Sequence, residues 1–195
     1  MRLTSGKTLV IASGYFNPLG SHHLKYLQAA ADYGDKLIII LNNDLQVKLK
    51  GSIPFQSYEE REKILNSLWF FHNGNNIKPP FIWRCIDDDS TVCKTLRAIY
   101  HLRKDVYNKI VFCNGGDRTT ANPKEQKVCD QLGIEMIFGV GGSSKTGASS
   151  KLIEDAAKIW AERNGYKFPF PNLAAINQQN PPAIQDGIIK YERFM

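Results

Sequence analysis

The chain has 195 residues, of which 43% are apolar and 23% charged, as in an ordinary soluble globular protein. No apolar run approaches the ~18 residues of a membrane-spanning helix, and the N-terminal MRLTSGK is too short and polar for a secretory signal, so we expect no membrane partner. The net charge of +6 comes from bases interleaved with acids that form no basic arm, and we expect no nucleic-acid partner.

Apolar periodicity predicts strands and helices that alternate along the chain. In chain order these are a strand at 8–12, a helix at 22–34, a strand at 36–44, a helix at 57–70, a strand at 81–86, a helix at 88–102, a strand at 109–116, a helix at 122–133, a strand at 134–142 and a helix at 149–165. Ser57 with Glu60 three residues later forms a capping box at the start of the second helix.

This alternation predicts an α/β fold, a Rossmann-like, doubly wound and mostly parallel sheet of five or more strands with helices on both faces. We place this domain at residues 1–162. Residues 163–195 are rich in proline and aromatic residues without clear periodicity, and we expect an extension packed on the core or on a partner subunit. Ligands of such sheets bind beyond the carboxyl ends of the strands. The loops there are 13–23, 42–57, 87–91, 114–122 and 139–150.

Four cysteines, Cys85, Cys93, Cys113 and Cys129, are scattered over predicted elements and form no CxxC pair. Free thiols in a reducing cytoplasm are the expectation, rather than a disulfide or a zinc site. Three acids, Asp87 to Asp89, lie at the start of a predicted helix. At that position helix capping is favoured over metal binding.

The stretch GYFNPLGSHHL, from Gly14 to Leu24, follows the first strand and opens the first helix. Gly14 permits close approach of backbone to a ligand. The helix start offers free N–H groups and a positive dipole end, which suit a triphosphate. A histidine there can donate to phosphate oxygens. The alternative is that His22 and His23 are solvent-facing residues of a first turn.

The same stretch resembles the HxGH signature of the nucleotidyltransferase superfamily. NNDLQVKLKG, PFQSYEEREKIL, VFCNGGDRT and FGVGGSSKTGASSKLI resemble further motifs of its cytidylyltransferase-like branch, the glycerol-3-phosphate cytidylyltransferase and heptose-1-phosphate adenylyltransferase type. Several positions depart from the pattern, and the usual Asp after Phe is Asn17. Gly20 stands where the first signature histidine belongs, with His22 at the signature glycine, and Ile153 replaces a closing basic residue.

The resemblance implies a nucleotidyltransferase that joins the nucleoside monophosphate of CTP or ATP to a phosphorylated sugar or polyol. Pyrophosphate is released, Mg²⁺ bridges the phosphates, and no dedicated protein metal site is implied. A homodimer is expected by analogy. Two alternatives stay open: adenylyl transfer to a cofactor precursor, and a nucleotide-binding protein that has lost catalysis, which Gly20 and Ile153 favour.

The resemblance also implies roles for individual residues. The catalytic candidates are His23, Lys50, Arg61 and Arg118. The nucleotide-binding candidates are Gly14, Tyr15, Phe16, Asn17, His22, His23, Lys48, Gly115, Gly116, Asp117, Ser149 and Ser150. For several of them an ordinary structural role competes: a solvated loop for the lysines, a helix salt bridge for Arg61 and helix capping for the serines.

Overall fold

Strands and helices alternate in the computed structural model of the chain, which describes residues 6–72, 75–77, 79–116, 123–142 and 149–165. The strands are β1 (Thr8–Gly14), β2 (Lys36–Leu41), β3 (Phe70–His72), β4 (Asn75–Ile77), β5 (Phe81–Arg84), β6 (Lys109–Gly115) and β7 (Glu135–Val140). The helices are α1 (Ser21–Ala31), α2 (Asp44–Leu49), α3 (Tyr58–Asn66), α4 (Cys93–Arg103), α5 (Pro123–Leu132) and α6 (Ser149–Arg163).

Five of the described strands form one sheet in the order β5-β2-β1-β6-β7, and every pairing in it is parallel. Strands β3 and β4 pair antiparallel in a separate two-stranded sheet. The predicted Rossmann-like, doubly wound α/β fold is therefore confirmed. Helix α2 and the β3–β4 pair are additions that the sequence pattern did not predict.

Apolar side chains of the sheet alternate between two cores, one on each face. Val10, Ala12, Ile39, Leu41, Val111 and Cys113 face the core that α1 and α3 complete with Leu27 and Leu65. Leu9, Ile11, Ile38, Ile40, Ile110 and Phe112 face the core that α4 and α5 complete with Leu96 and Val128. Burial on both faces explains why these strands have continuous apolar sequences.

Two predicted helix starts show how local polar groups set helix boundaries. At α3 the Ser57 side chain accepts from the Glu60 N–H while Glu60 accepts from the Ser57 N–H, as predicted. At α4 the helix begins at Cys93, five residues later than its predicted start. Asp87, which lies before the helix, accepts from the backbone N–H groups of Lys94 and Thr95, so the expected capping role is confirmed.

The chain divides after Ser149 into two compact units. The first contains the parallel sheet, the β3–β4 pair and helices α1 to α5, and the described part of the second is the remainder of α6 with the turn at 164–165. The boundary between 162 and 163 remains a prediction. None of the described helices combines the length and the apolar character needed to cross a membrane.

Candidate active site

The carboxyl ends of β1 and β6 meet where the sheet order reverses direction. From β1 the chain continues to β2 on one side, and from β6 it continues to β7 on the other. Doubly wound sheets bind ligands in the crevice at this switch point. The structure brings Gly14, at the end of β1, and Gly115, at the end of β6, to this edge, together with the β1–α1 turn (residues 15–20).

His23 occupies the third position of α1, where its ring is set by the helix start. The backbone N–H of Gly20 donates to His23 Nδ1 at 3.0 Å. Since Nδ1 accepts, the neutral ring carries its proton on Nε2. Burial, His22 and the charge of Lys50, in that order, lower the pKa of His23 to about 4. His23 is therefore neutral near pH 7 and holds an Nε2–H group that can donate to an anion.

His22 lies directly against His23, with ring centroids 3.8 Å apart and planes at 42°. Its Nδ1 atom is buried and has no hydrogen-bond partner among the described residues. The departure from the signature therefore leaves two imidazoles at the start of α1, while Gly20 is the N-cap residue. Both rings are at the helix terminus that the sequence assigns to phosphate.

Phe16 lies in the core, with 1% of its surface exposed, and has a positive φ of 47°. Its ring packs edge-on against His23 at a centroid distance of 5.2 Å. A Cβ atom placed on Gly14 would lie 2.6 Å from Phe16 Cζ. Gly14 thus makes room for this ring, a role that sequence reasoning did not identify, and any nucleotide contact from Phe16 would have to come from its backbone.

The side chain of Asn17 ties the β1–α1 turn to the loop that follows α2. Its Nδ2 donates to the carbonyl of Ile53 at 2.7 Å, and its Oδ1 accepts from the N–H of Phe55 at 2.9 Å. Asn17 is also largely buried. The Asn17 amide therefore stabilises the turn, and its contact with a phosphate stays a prediction.

The two candidate lysines at the end of α2 differ in position. Lys50, the C-cap residue, places Nζ 4.6 Å from the centre of the Tyr15 ring, and its charge acts on His23. Lys48 lies in the last turn of α2 and is exposed. The structure thus brings Lys50 and Tyr15 together with the histidine pair.

Arg61 is buried beneath the site rather than exposed to it. Its guanidinium pairs with the Asp44 carboxylate and donates to backbone carbonyl groups at the ends of β1 and β2. Asp44 was absent from the sequence predictions, although a capping box of Asn43 with Gln46 marks the start of α2 in the sequence.

The glycine loop after β6 is described only in part. Gly115 ends the strand and Gly116 follows it, half-buried. Asp117 and Arg118 lie outside the described residues, as do the side chains of Ser149 and Ser150, although α6 begins at Ser149. Asn114, which sequence reasoning missed, is buried just before the glycines, and within the described part of the chain its Nδ2 has no hydrogen-bond partner.

In the described part of the chain, no group of three or more His, Cys, Asp or Glu residues could hold a metal ion. The carboxylate of Asp87 is already engaged, because it accepts hydrogen bonds from Thr95 and from the α4 backbone.

The cysteines are free thiols. Burial raises the pKa of Cys85 to about 11 and that of Cys113 to about 12, so both stay protonated at neutral pH.

A family model described as cytidylyltransferase-like matches residues 11–140. Curated relatives named Bifunctional protein HldE include those of Syntrophotalea carbinolica, 33% identical over 158 residues, and Aliarcobacter butzleri, 48% identical over 152 residues. The alignments cover 76% and 77% of this chain and 28% of each relative. The chain therefore spans less than a third of the length of these relatives.

A solved structure similar to this chain is titled lipopolysaccharide core biosynthesis protein from Thermoplasma volcanium GSS1. It is 20% identical, with a TM-score of 0.48, and the match covers 68% of this chain and 94% of that one.

Proposed function

The chain belongs to the cytidylyltransferase-like family, and from this premise we propose that it transfers a nucleoside monophosphate from CTP or ATP to a phosphorylated sugar or polyol. A phosphate oxygen of the acceptor attacks the α-phosphorus, a new phosphoanhydride bond forms, and the bond to the β-phosphate breaks. Pyrophosphate leaves with the electron pair. The acceptor oxygen is already anionic, so the step needs orientation and charge stabilisation rather than a general base.

The observation that carries this proposal is the neutral His23 ring at the start of α1. Its Nδ1 is occupied by the Gly20 N–H, which leaves Nε2–H to donate to a phosphate oxygen. A donor at this position stabilises the transition state most where negative charge develops on the leaving pyrophosphate. Lys50 supplies a nearby positive charge, and the dipole of α1 adds to it.

His22 would contribute a second imidazole to the same phosphates. Its buried Nδ1 without a partner supports this role, because a buried polar atom is costly unless a ligand or water pairs with it. The second candidate function is nucleotide binding without catalysis on the same fold, which would follow if Gly20, in place of the first signature histidine, abolishes the reaction. Adenylyl transfer to a cofactor precursor is the third candidate.

Mg²⁺ is proposed as the accompanying cation. The described residues do not form a protein cage for it, so its oxygen ligands would come from the triphosphate, with which it would enter. When bound it would neutralise phosphate charge. A homodimer remains a prediction.

The test is pyrophosphate release with CTP or ATP, Mg²⁺ and a set of phosphorylated sugars and polyols. His23→Ala is compared with His101→Ala, which removes an exposed histidine of α4. Release with one nucleotide, lowered ~100-fold in His23→Ala and unchanged in His101→Ala, supports the proposal. Nucleotides that raise the melting temperature without release favour the binding protein. Neither release nor a thermal shift would overturn both.

A further inference from the structure

We propose that Arg61 is a positioning residue, which acts on the nucleotide only through the loops that it holds together. This inference rests on the proposed function and changes the role that the sequence assigned to Arg61. Its basis is the Arg61 network, defined as Arg61, Asp44 and the carbonyl groups of Tyr15, Asn42 and Gln56.

The guanidinium of Arg61 directs four of its five N–H groups to protein acceptors. Nη1 donates to the carbonyl oxygens of Tyr15 at 2.7 Å and Asn42 at 2.9 Å, and Nε donates to that of Gln56 at 3.3 Å. Nη2 pairs with the Asp44 carboxylate. The Arg61 side chain has no exposed surface. To reach a phosphate, it would have to abandon these acceptors.

The acceptors belong to three segments that are far apart in sequence. Tyr15 opens the β1–α1 turn, and Asn42 follows β2. Asp44 begins α2, and Gln56 precedes α3. The second oxygen of Asp44 accepts from the N–H of Tyr58, which ties in the start of α3 as well. The network therefore sets the turn that leads to His23 relative to α2, whose C-cap residue is Lys50.

Charge argues for the same role. The Arg61 charge is paired with the Asp44 carboxylate, so the pair adds little net positive potential at the site. Lys50 is a cation whose charge lowers the pKa of His23. A planar guanidinium can bind several carbonyl groups in fixed directions, which the single ammonium group of a lysine cannot reproduce. The choice of arginine thus follows from holding backbone, not from binding phosphate.

The test compares Arg61→Lys, Asp44→Ala and the double variant. Asp44→Ala removes a side chain whose oxygens already accept from Arg61 and Tyr58, while alanine keeps the helix propensity of α2. Glu59→Gln is the matched control, because Glu59 also lies in α3 and pairs with Arg84 at 3.7 Å, but both side chains are exposed. Turnover and KM for the nucleotide are measured well below the lowest melting temperature of the set.

If Arg61 acts by positioning, Arg61→Lys and Asp44→Ala each lower kcat by ~10- to 100-fold, and the double variant is no worse than the more severe single variant. The control keeps the wild-type kcat. If instead Arg61 binds phosphate directly, Asp44→Ala leaves kcat unchanged, or the two losses multiply. Either of those results would overturn the proposal.

Hydrogen exchange separates failure of this inference from failure of the proposed function. Amides of the β1–α1 turn and of α2 should exchange faster in Arg61→Lys and Asp44→Ala, with those of α5 unchanged. This readout needs no activity, so it holds even if the wild-type chain releases no pyrophosphate. Unchanged exchange in the turn and in α2 would refute the Arg61 network as a positioning device.

Discussion

Replacing Gly14 by alanine should displace the ring that supports His23. The added Cβ would lie 2.6, 2.9 and 3.0 Å from three atoms of the Phe16 ring, all at or below the closest approach of ordinary carbon contacts. Phe16 cannot turn into solvent, because it is 1% exposed and its backbone already has a positive φ. The ring must shift, and the His23 ring packed on its edge shifts with it.

The magnitude follows from the cost of overpacking a closed core. One extra methyl group in such a site costs about 2 kcal/mol. For a chain of this size, that loss lowers the melting temperature by about 4–8 °C. Displacement of His23 adds a catalytic defect of ~10-fold or more in kcat, because the Nε2–H donor loses its orientation.

Thermal unfolding monitored by circular dichroism, together with pyrophosphate release, measures both effects. Phe16→Leu in the Gly14→Ala background provides the control, since the smaller side chain leaves room for the methyl group. The double variant should be more stable than the sum of the two single losses predicts. Additive losses, or a melting temperature of Gly14→Ala equal to wild type, would refute the steric reasoning.

Three further predictions concern the same edge of the sheet. Tyr26→Phe should lower stability by about 1–3 kcal/mol, because the Tyr26 hydroxyl donates to the Cys113 carbonyl at 2.7 Å and accepts from the Ser13 N–H; equal denaturation midpoints for wild type and variant would contradict this. The native His23 ring has a pKa of about 4, below the value of 6.5 for an unfolded histidine. Between pH 6.5 and pH 4 the unfolded chain therefore binds a proton at His23 that the native chain does not bind, so the free energy of unfolding falls as the pH falls through this interval. His23→Gln should lose less stability over that interval, and identical pH profiles of the melting temperature would count against it. Lys50→Met should raise the pKa of His23 in an NMR titration, since Lys50 lowers it, whereas an unmoved titration curve would show that the Lys50 charge does not reach the ring.

The pattern of the sequence was sufficient for the architecture, and it predicted the loops of the candidate site. Buried parallel strands need apolar residues on both faces, so runs such as those at Leu9–Ala12 identify them without tertiary information. The capping box at Ser57 depends on residues three positions apart and was likewise readable. Because ligand sites of such sheets lie at strand ends, the order of elements alone pointed to the loops that contain His23 and Lys50.

Short elements escaped the sequence because they have too few residues to show a period. Helix α2 has six residues, and β3 and β4 have three each. Their stability comes from contacts with other parts of the fold, such as the hydrogen bonds of Gln28 in α1 to the backbone of Phe71 in β3.

The roles of individual site residues were decided by contacts between distant segments. Local patterns show that Arg61 is on a helix and that Phe16 and Asn17 are in a turn. They do not show that Arg61 donates to a carbonyl group 46 positions away, or that Asn17 bonds to a loop 36 positions away. Whether a polar side chain faces a ligand or the protein depends on which acceptors folding brings near it. The sequence therefore predicted where the candidate site lies, and only the tertiary structure showed that Asn17 and Arg61 hold its loops together.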